Sequence, residues 1–241
     1  MLEKALKYIV GLNKANEIHF NGGTFVDKQM TQLKTPKFPT LEVNTLESVV
    51  GYLKNIKDER MDEGFAPTIV HIVDATTVEL KNLAVPAEGR RDCMVRAKAE
   101  VPAFLYGEFY NAEAFNIAMQ SKFTETEDKG TILQVVGNLK EDAVRTMIDD
   151  GVSQVTAVRT GVATVENVKV PNPVVLKPFR TFIEVEQPES KFIFRMREGG
   201  KCAIFEADGG AWQLEAKRNI LNFLKENLQE EIESGKVVLI A

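Results

Sequence analysis

Residues 171–215, PNPVVLKPFRTFIEVEQPESKFIFRMREGGKCAIFEADGGAWQLE, constrain the fold more than any other stretch. Five of the fourteen phenylalanines, four of the nine prolines and the only tryptophan fall within it, so the core must pass through here. Residues 191–197 alternate: Phe192, Phe194 and Met196 take one face, Arg195 and Arg197 the other. Residues 201–207 alternate again. Glu198-Gly199-Gly200 separates the two runs and supplies residues that tolerate positive φ. The pattern predicts a β-hairpin with one apolar face.

The elements around it alternate loosely. Residues 2–12 read as a short helix. Residues 15–40 are the least regular part, and two readings stay open: a disordered leader, or an extended arm lying on another surface. Their spaced apolar residues (Ile18, Phe20, Phe25, Val26, Leu33, Phe38) favour the arm. A short strand at 41–43 leads to Asn44, which has the N-cap role with Glu47 three residues on. Leu46, Val49, Val50, Leu53 and Ile56 then mark one helical stripe.

A meander follows: strands over 68–73, 77–83 and 91–101, with a turn at Asp74-Ala75 and a loop at 86–89. The small residues Cys93, Ala97 and Ala99 on one face of the third strand suggest a closely packed helix. Asn111 is expected to cap a helix buried through Phe115, Ala118, Met119 and Phe123. Residues 131–136 read as a strand. Asn138 opens a third helix with Ala143, Val144, Met147 and Ile148 buried. Strands near 152–158 and 162–170 come next, with a turn at Glu166-Asn167 within the second. After Trp212 one helix is expected to run to about Glu233, with Leu214, Leu221, Leu224, Leu228 and Ile232 on its stripe. Residues 236–241, KVVLIA, form a last strand that must pair, because a bare apolar edge invites aggregation.

The expected class is therefore α+β, with mixed and antiparallel sheets, β-meanders, several packed helices and an extended N-terminal arm. Three parts are expected: the helix and arm at 1–40, an α+β part at 41–151, and a strand-rich part with the long helix and final strand at 152–241. The last two parts are also compatible with one domain. No period of 20–50 residues repeats, which excludes solenoids and propellers.

The net charge of −5 does not advertise a polyanion-binding protein. No apolar run reaches the roughly 18 residues that span a bilayer, and the N-terminus lacks a secretory signal pattern. The expected location is cytoplasmic. Cys93 and Cys202 read as reduced, buried thiols, with a structural disulfide as the alternative.

The chemistry-bearing motifs are missing. There is no phosphate-binding glycine loop, no Gly-x-Ser-x-Gly elbow and no Cys/His set with zinc spacing. His71 sits on an apolar strand and His19 in the arm. Glu184, Glu186, Glu189, Glu206 and Asp208 match no catalytic or metal spacing and read as solvated strand faces, and Asp208-Gly209-Gly210 reads as a turn. No catalysis, cofactor or metal is expected.

The run VPNPVVLKPFRTFIEVEQPESKFIFRM followed by FEADGGAW resembles the C-terminal part of the YfdQ-like family of phage and prophage proteins of unknown function. LEVNTLESVVGYL resembles the start of the ordered part of those proteins, so the resemblance covers roughly residues 41–241. It implies a phage-encoded accessory protein of the host bacterial cytoplasm and carries over no active site.

The expected function is non-catalytic: a self-associating structural or interaction protein, forming a homo-oligomer through the N-terminal arm and its strand edges. The residues expected to carry interactions are Arg195, Arg197, Phe20, Phe25 and Phe38. The alternatives are a single-stranded nucleic-acid or recombination accessory protein using Arg195 and Arg197, or a binder of a host defence component. The alternation places Phe192 and Phe194 away from the arginines, which counts against base stacking.

Overall fold

The computed structural model describes residues 2–12, 15–20, 23–27, 39–55, 67–82, 91–137, 147–149, 154–160, 164–197 and 199–241. The chain divides into two units, Met1–Phe38 and Pro39–Ala241.

The first unit holds helix α1 (Leu2–Leu12) and an antiparallel hairpin of β1 (Glu17–Phe20) and β2 (Gly23–Val26). The hairpin corrects the expectation of an irregular segment. Phe20 pairs with Gly23, and the sequence between them reads Asn-Gly, the strongest short-range hairpin signal in a sequence. Asn16 closes the open end, donating from its backbone N to Asp27 Oδ1 at 2.8 Å and from Nδ2 to Asp27 Oδ2 at 2.6 Å.

The second unit is built on a five-stranded mixed sheet. It uses β3 (Leu41–Val43), β4 (Thr68–Asp74), β5 (Thr77–Lys81), β6 (Cys93–Lys98) and β13 (Val237–Ile240), in the order β13-β4-β5-β6-β3. The meander β4-β5-β6 is antiparallel, while β3 runs parallel to β6 and β13 parallel to β4. Helices α2 (Leu46–Asn55) and α5 (Trp212–Asn227) bury their stripes in the core of this sheet. Leu46, Val49 and Tyr52 meet Val95 and Ala97 there, which explains the small residues of β6. A bulge opposite Leu80 and Lys81 leaves Met94 as the extra residue of β6 and buries it in the same core.

Helix α5 stops at Leu228 and a short α6 (Gln229–Glu233) follows, so the expected single helix is broken. Its buried stripe runs Ala216, Ile220, Leu224, Leu228. Leu214 is 56% exposed and falls outside the stripe, because the i, i+4 row sets the buried face, not the seven-residue spacing of leucines.

A second sheet is antiparallel, with β11 (Ser190–Arg197) between β10 (Val174–Leu176) and β12 (Lys201–Glu206). The predicted hairpin is there, and Phe192, Phe194 and Met196 are buried. Helices α3 (Ala112–Lys122) and α4 (Glu127–Gly137) cover it through Phe115, Met119, Ile132 and Val135. Asn111 caps α3 as expected, accepting from Ala114 N at 2.7 Å.

Residues 131–136 are helical, not a strand. Ile132, Val135 and Val136 satisfy a helical spacing as well as an apolar run, and burial against β10–β12 selects the helix. The Thr126 hydroxyl starts α4 by accepting from Lys129 N at 3.1 Å. Lys129 itself is 1% exposed, and its ammonium donates to the Phe123 carbonyl at 2.8 Å and to Glu125 at 2.7 Å.

A third antiparallel sheet joins β7 (Met147–Asp149), β8 (Gln154–Thr160) and β9 (Thr164–Lys169). Two further expectations fail here. Met147 and Ile148 are strand residues because they pair with Thr156 and Val155, and Glu166-Asn167 is an unbroken part of β9 paired with β8. The Asn138 cap and the stripe residues Ala143 and Val144 lie outside the described residues, as does the loop at 86–89. The fold is α+β, and no described helix is long and apolar enough to cross a membrane.

Both cysteines are free. Cys202 is buried, which pushes its thiol up to about 12, whereas Cys93 is only half-buried.

Candidate functional site

The loop between β10 and β11 carries the buried polar residues Arg180, Thr181 and Gln187. Arg180 leaves this loop and is 7% exposed. Its Nη1 donates to Glu206 Oε1 at 2.9 Å and its Nη2 donates to the Ser190 hydroxyl. The guanidinium carbon lies 4.1 Å from the Trp212 ring centre and 5.4 Å from that of Phe192. Burial pulls this guanidinium below its ordinary pKa, against the pull of Tyr106 and Glu206. The Ser190 hydroxyl in turn donates a hydrogen bond to Asp208 Oδ2 at 2.7 Å, and Asp208 Oδ1 accepts from Gly210 N at 3.0 Å. Burial pushes the Asp208 carboxyl up, but the Ser190 and Gly210 bonds outweigh it and the net shift is downward. An open cleft of about 490 Å3 lies over this cluster, lined by Ser190, Lys191, Asp208, Trp212 and Glu215 among others.

This cluster is a lock between loop, hairpin and helix. The Ser190 hydroxyl accepts from Arg180 and donates to Asp208, so it bridges the cation and the carboxylate of this cluster. Among the described residues no group of His, Cys, Asp and Glu is arranged to hold a metal ion.

The acidic residues expected on solvated strand faces have specific work. Glu184 Oε1 accepts from Leu46 N at 2.7 Å and from Glu47 N at 3.1 Å, capping α2 from a distant part of the chain. The Thr45 hydroxyl completes the cap by accepting from Ser48 N at 3.2 Å. Asn44 is not the cap, since its amide donates to Glu100 at 2.7 Å. Glu186 pairs with Lys177 at 2.8 Å, not with a hairpin arginine.

The chain matches no family model, no curated protein and no solved structure.

The interaction residues expected from sequence separate into two groups. Arg195 is half-buried and donates to the Phe194 carbonyl at 3.3 Å. Arg197 is exposed, with its guanidinium carbon 4.0 Å from the Phe109 ring centre. Phe192 and Phe194 are buried, so neither ring is open to a base. The structure thus gives Arg197 a protein ring to stack on, which the sequence did not show.

Phe20 and Phe25 belong to the first unit. The pairing of Ile18 with Phe25 and of Phe20 with Gly23 puts Ile18, Phe20 and Phe25 on one face of the hairpin. They are 60%, 69% and 58% exposed. Phe38 lies outside the described residues.

A further apolar element is the β13 edge. Among the described residues β13 pairs only with β4. Its Val237 faces the core, while Val238 and Ile240, 41% and 44% exposed, stand on the opposite face of the sheet. Next to them on that face stand Ile69 and His71 of β4, and beyond β4 the face is charged: Glu79 pairs with Lys81 at 2.6 Å and with Arg96 at 2.9 Å, and Arg96 with Glu42 of β3 at 3.1 Å. One edge of the sheet therefore carries an ion pair and the other carries aliphatic side chains.

Proposed function

We propose that the chain is a self-associating structural or interaction protein whose N-terminal hairpin packs on another copy of itself. One observation carries this reading: Ile18, Phe20 and Phe25 share a hairpin face and are each more than half exposed. A two-stranded hairpin has no core of its own and is marginal in water until its apolar face is covered. An aromatic face on a small N-terminal unit is suited to clamp a neighbour in a homo-oligomer. The resemblance of residues 170–196 and 205–212 to YfdQ-like proteins supports placing this assembly among phage-encoded accessory proteins of the bacterial cytoplasm.

The test is light scattering of the purified chain beside a Phe20→Ser/Phe25→Ser variant. The wild type is expected as a homo-oligomer and the variant as a smaller species with the same circular dichroism. A wild-type chain of monomer mass at every concentration, or a double variant of unchanged size, would refute the proposal.

A second reading, single-stranded nucleic-acid binding, draws on exposed Arg197 beside Phe109. It predicts salt-dependent retention of an oligonucleotide that Arg197→Ala weakens.

A further inference from the structure

We infer that β13 is a self-complementary edge through which two copies join their five-stranded sheets about a two-fold axis, with Val238 of each copy opposite Ile240 of the other. This rests on the self-association proposed above and names a second contact, separate from the N-terminal hairpin.

A free strand edge is a template for pairing and is commonly blunted by charge, proline or a bulge. The β3 edge has such protection in Glu42, held by Arg96. The β13 strand reads VVLI, has no charged residue, and pairs with β4 in an unshifted register. The exposed aliphatic residues of that strand are Val238 and Ile240, at the margin of a face that is otherwise charged along β5, β6 and β3.

Symmetry then selects the register. Two antiparallel copies of one strand are related by an axis normal to the sheet, and directly opposed residues point to the same face. Pairing must therefore centre on a residue, not on a peptide bond. Centring on Leu239 sets Val238 against Ile240 of the second copy twice over, closing the aliphatic patch on itself. The core-facing Leu239 then meets its own counterpart, so core and charged faces each continue across the junction.

Area sets the strength. A strand of four residues spans roughly 13 Å and buries far less than the ~1,200 Å2 of a stable interface. Edge pairing alone is thus weak and concentration-dependent. Two separate self-contacts per chain also extend an assembly beyond a simple pair.

Cysteine cross-linking reads the register directly. It is done in the full chain carrying Phe20→Ser/Phe25→Ser, so that failure of the hairpin contact does not affect the outcome. A mixture of Val238→Cys and Ile240→Cys chains should form a disulfide-linked pair under mild oxidation, because directly opposed residues lie within disulfide reach. Either chain alone should give much less. Val238→Lys, with unchanged circular dichroism, should raise the dissociation constant about tenfold or more in sedimentation at high protein concentration. Equal cross-linking in all three samples, no cross-link in the mixture, or unchanged sedimentation of Val238→Lys would each overturn the inference. The hairpin proposal would stand or fall separately.

Discussion

The guanidinium of Arg180 sits 4.1 Å from the centre of the Trp212 ring while its Nη1 holds Glu206 at 2.9 Å. Removing the cation leaves Glu206, which is partly exposed and can rehydrate, but also breaks the bond to buried Ser190. Arg180→Met is expected to cost about 2–4 kcal/mol. Arg180→Lys should recover only part of this, because an ammonium cannot reproduce the forked bonds to Glu206 and Ser190. Trp212 is the only tryptophan, so urea unfolding followed by its fluorescence measures both variants.

Acid should expose the role of Asp208. Its carboxyl lies below the ordinary value of 3.8, so the folded state favours the ionised form. That contribution is fully present above the unfolded value and is lost as pH falls through the lower folded value. Asp208→Asn should therefore be less stable than wild type at neutral pH. The gap should narrow below about pH 4. Thermal melting across pH 3 to 7, roughly, checks the sign. A gap independent of pH would show that the carboxylate charge is not involved.

Glu184 caps α2 across most of the length of the second unit. Glu184→Ala is expected to lower stability by about 1–2 kcal/mol, and Glu184→Gln by less, since an amide oxygen still accepts. Hydrogen exchange offers a local readout: the amides of Leu46 and Glu47 should lose protection in Glu184→Ala while those of α3 keep it.

The two thiols should behave differently. Burial, then the charge of Glu79, holds the half-buried Cys93 thiol above its ordinary value, and burial holds Cys202 higher, at about 12. Thiolate is the reactive form. In native protein at mildly alkaline pH one thiol, Cys93, should react slowly with a disulfide reagent, and Cys202 should react only on unfolding. Fast labelling of both thiols without denaturant would contradict this.

What was legible in the sequence was periodic. The alternation of residues 191–197 located the buried rings of β11, and the spacing of Phe115, Ala118 and Met119 located the buried face of α3. Residues 131–136 failed because β-branched residues at helical spacing satisfy two patterns, and only tertiary burial decides between them. The polar cluster was illegible for a different reason. Arg180 with Trp212, and Glu184 with Leu46, are pairs far apart in the chain and obey no local period. The hairpin was within reach: Asn21-Gly22 between Phe20 and Gly23 is a turn signal, hidden by strands of only four residues.

The place of β13 beside β4 also governs when the protein acquires its structure. Thr68 pairs with Val237, so the main sheet cannot be completed until a strand far downstream of β4 has been made. Contacts of such long separation fold slowly, since the intervening chain must be closed into a loop before they form. While the chain is growing, β4 waits at a vacant margin with Ile69 and Val70 uncovered by a neighbouring strand. A nascent chain stalled before Val237 is therefore the species that chaperones would be expected to hold, and ribosome-bound lengths on either side of that residue would differ sharply in protease resistance.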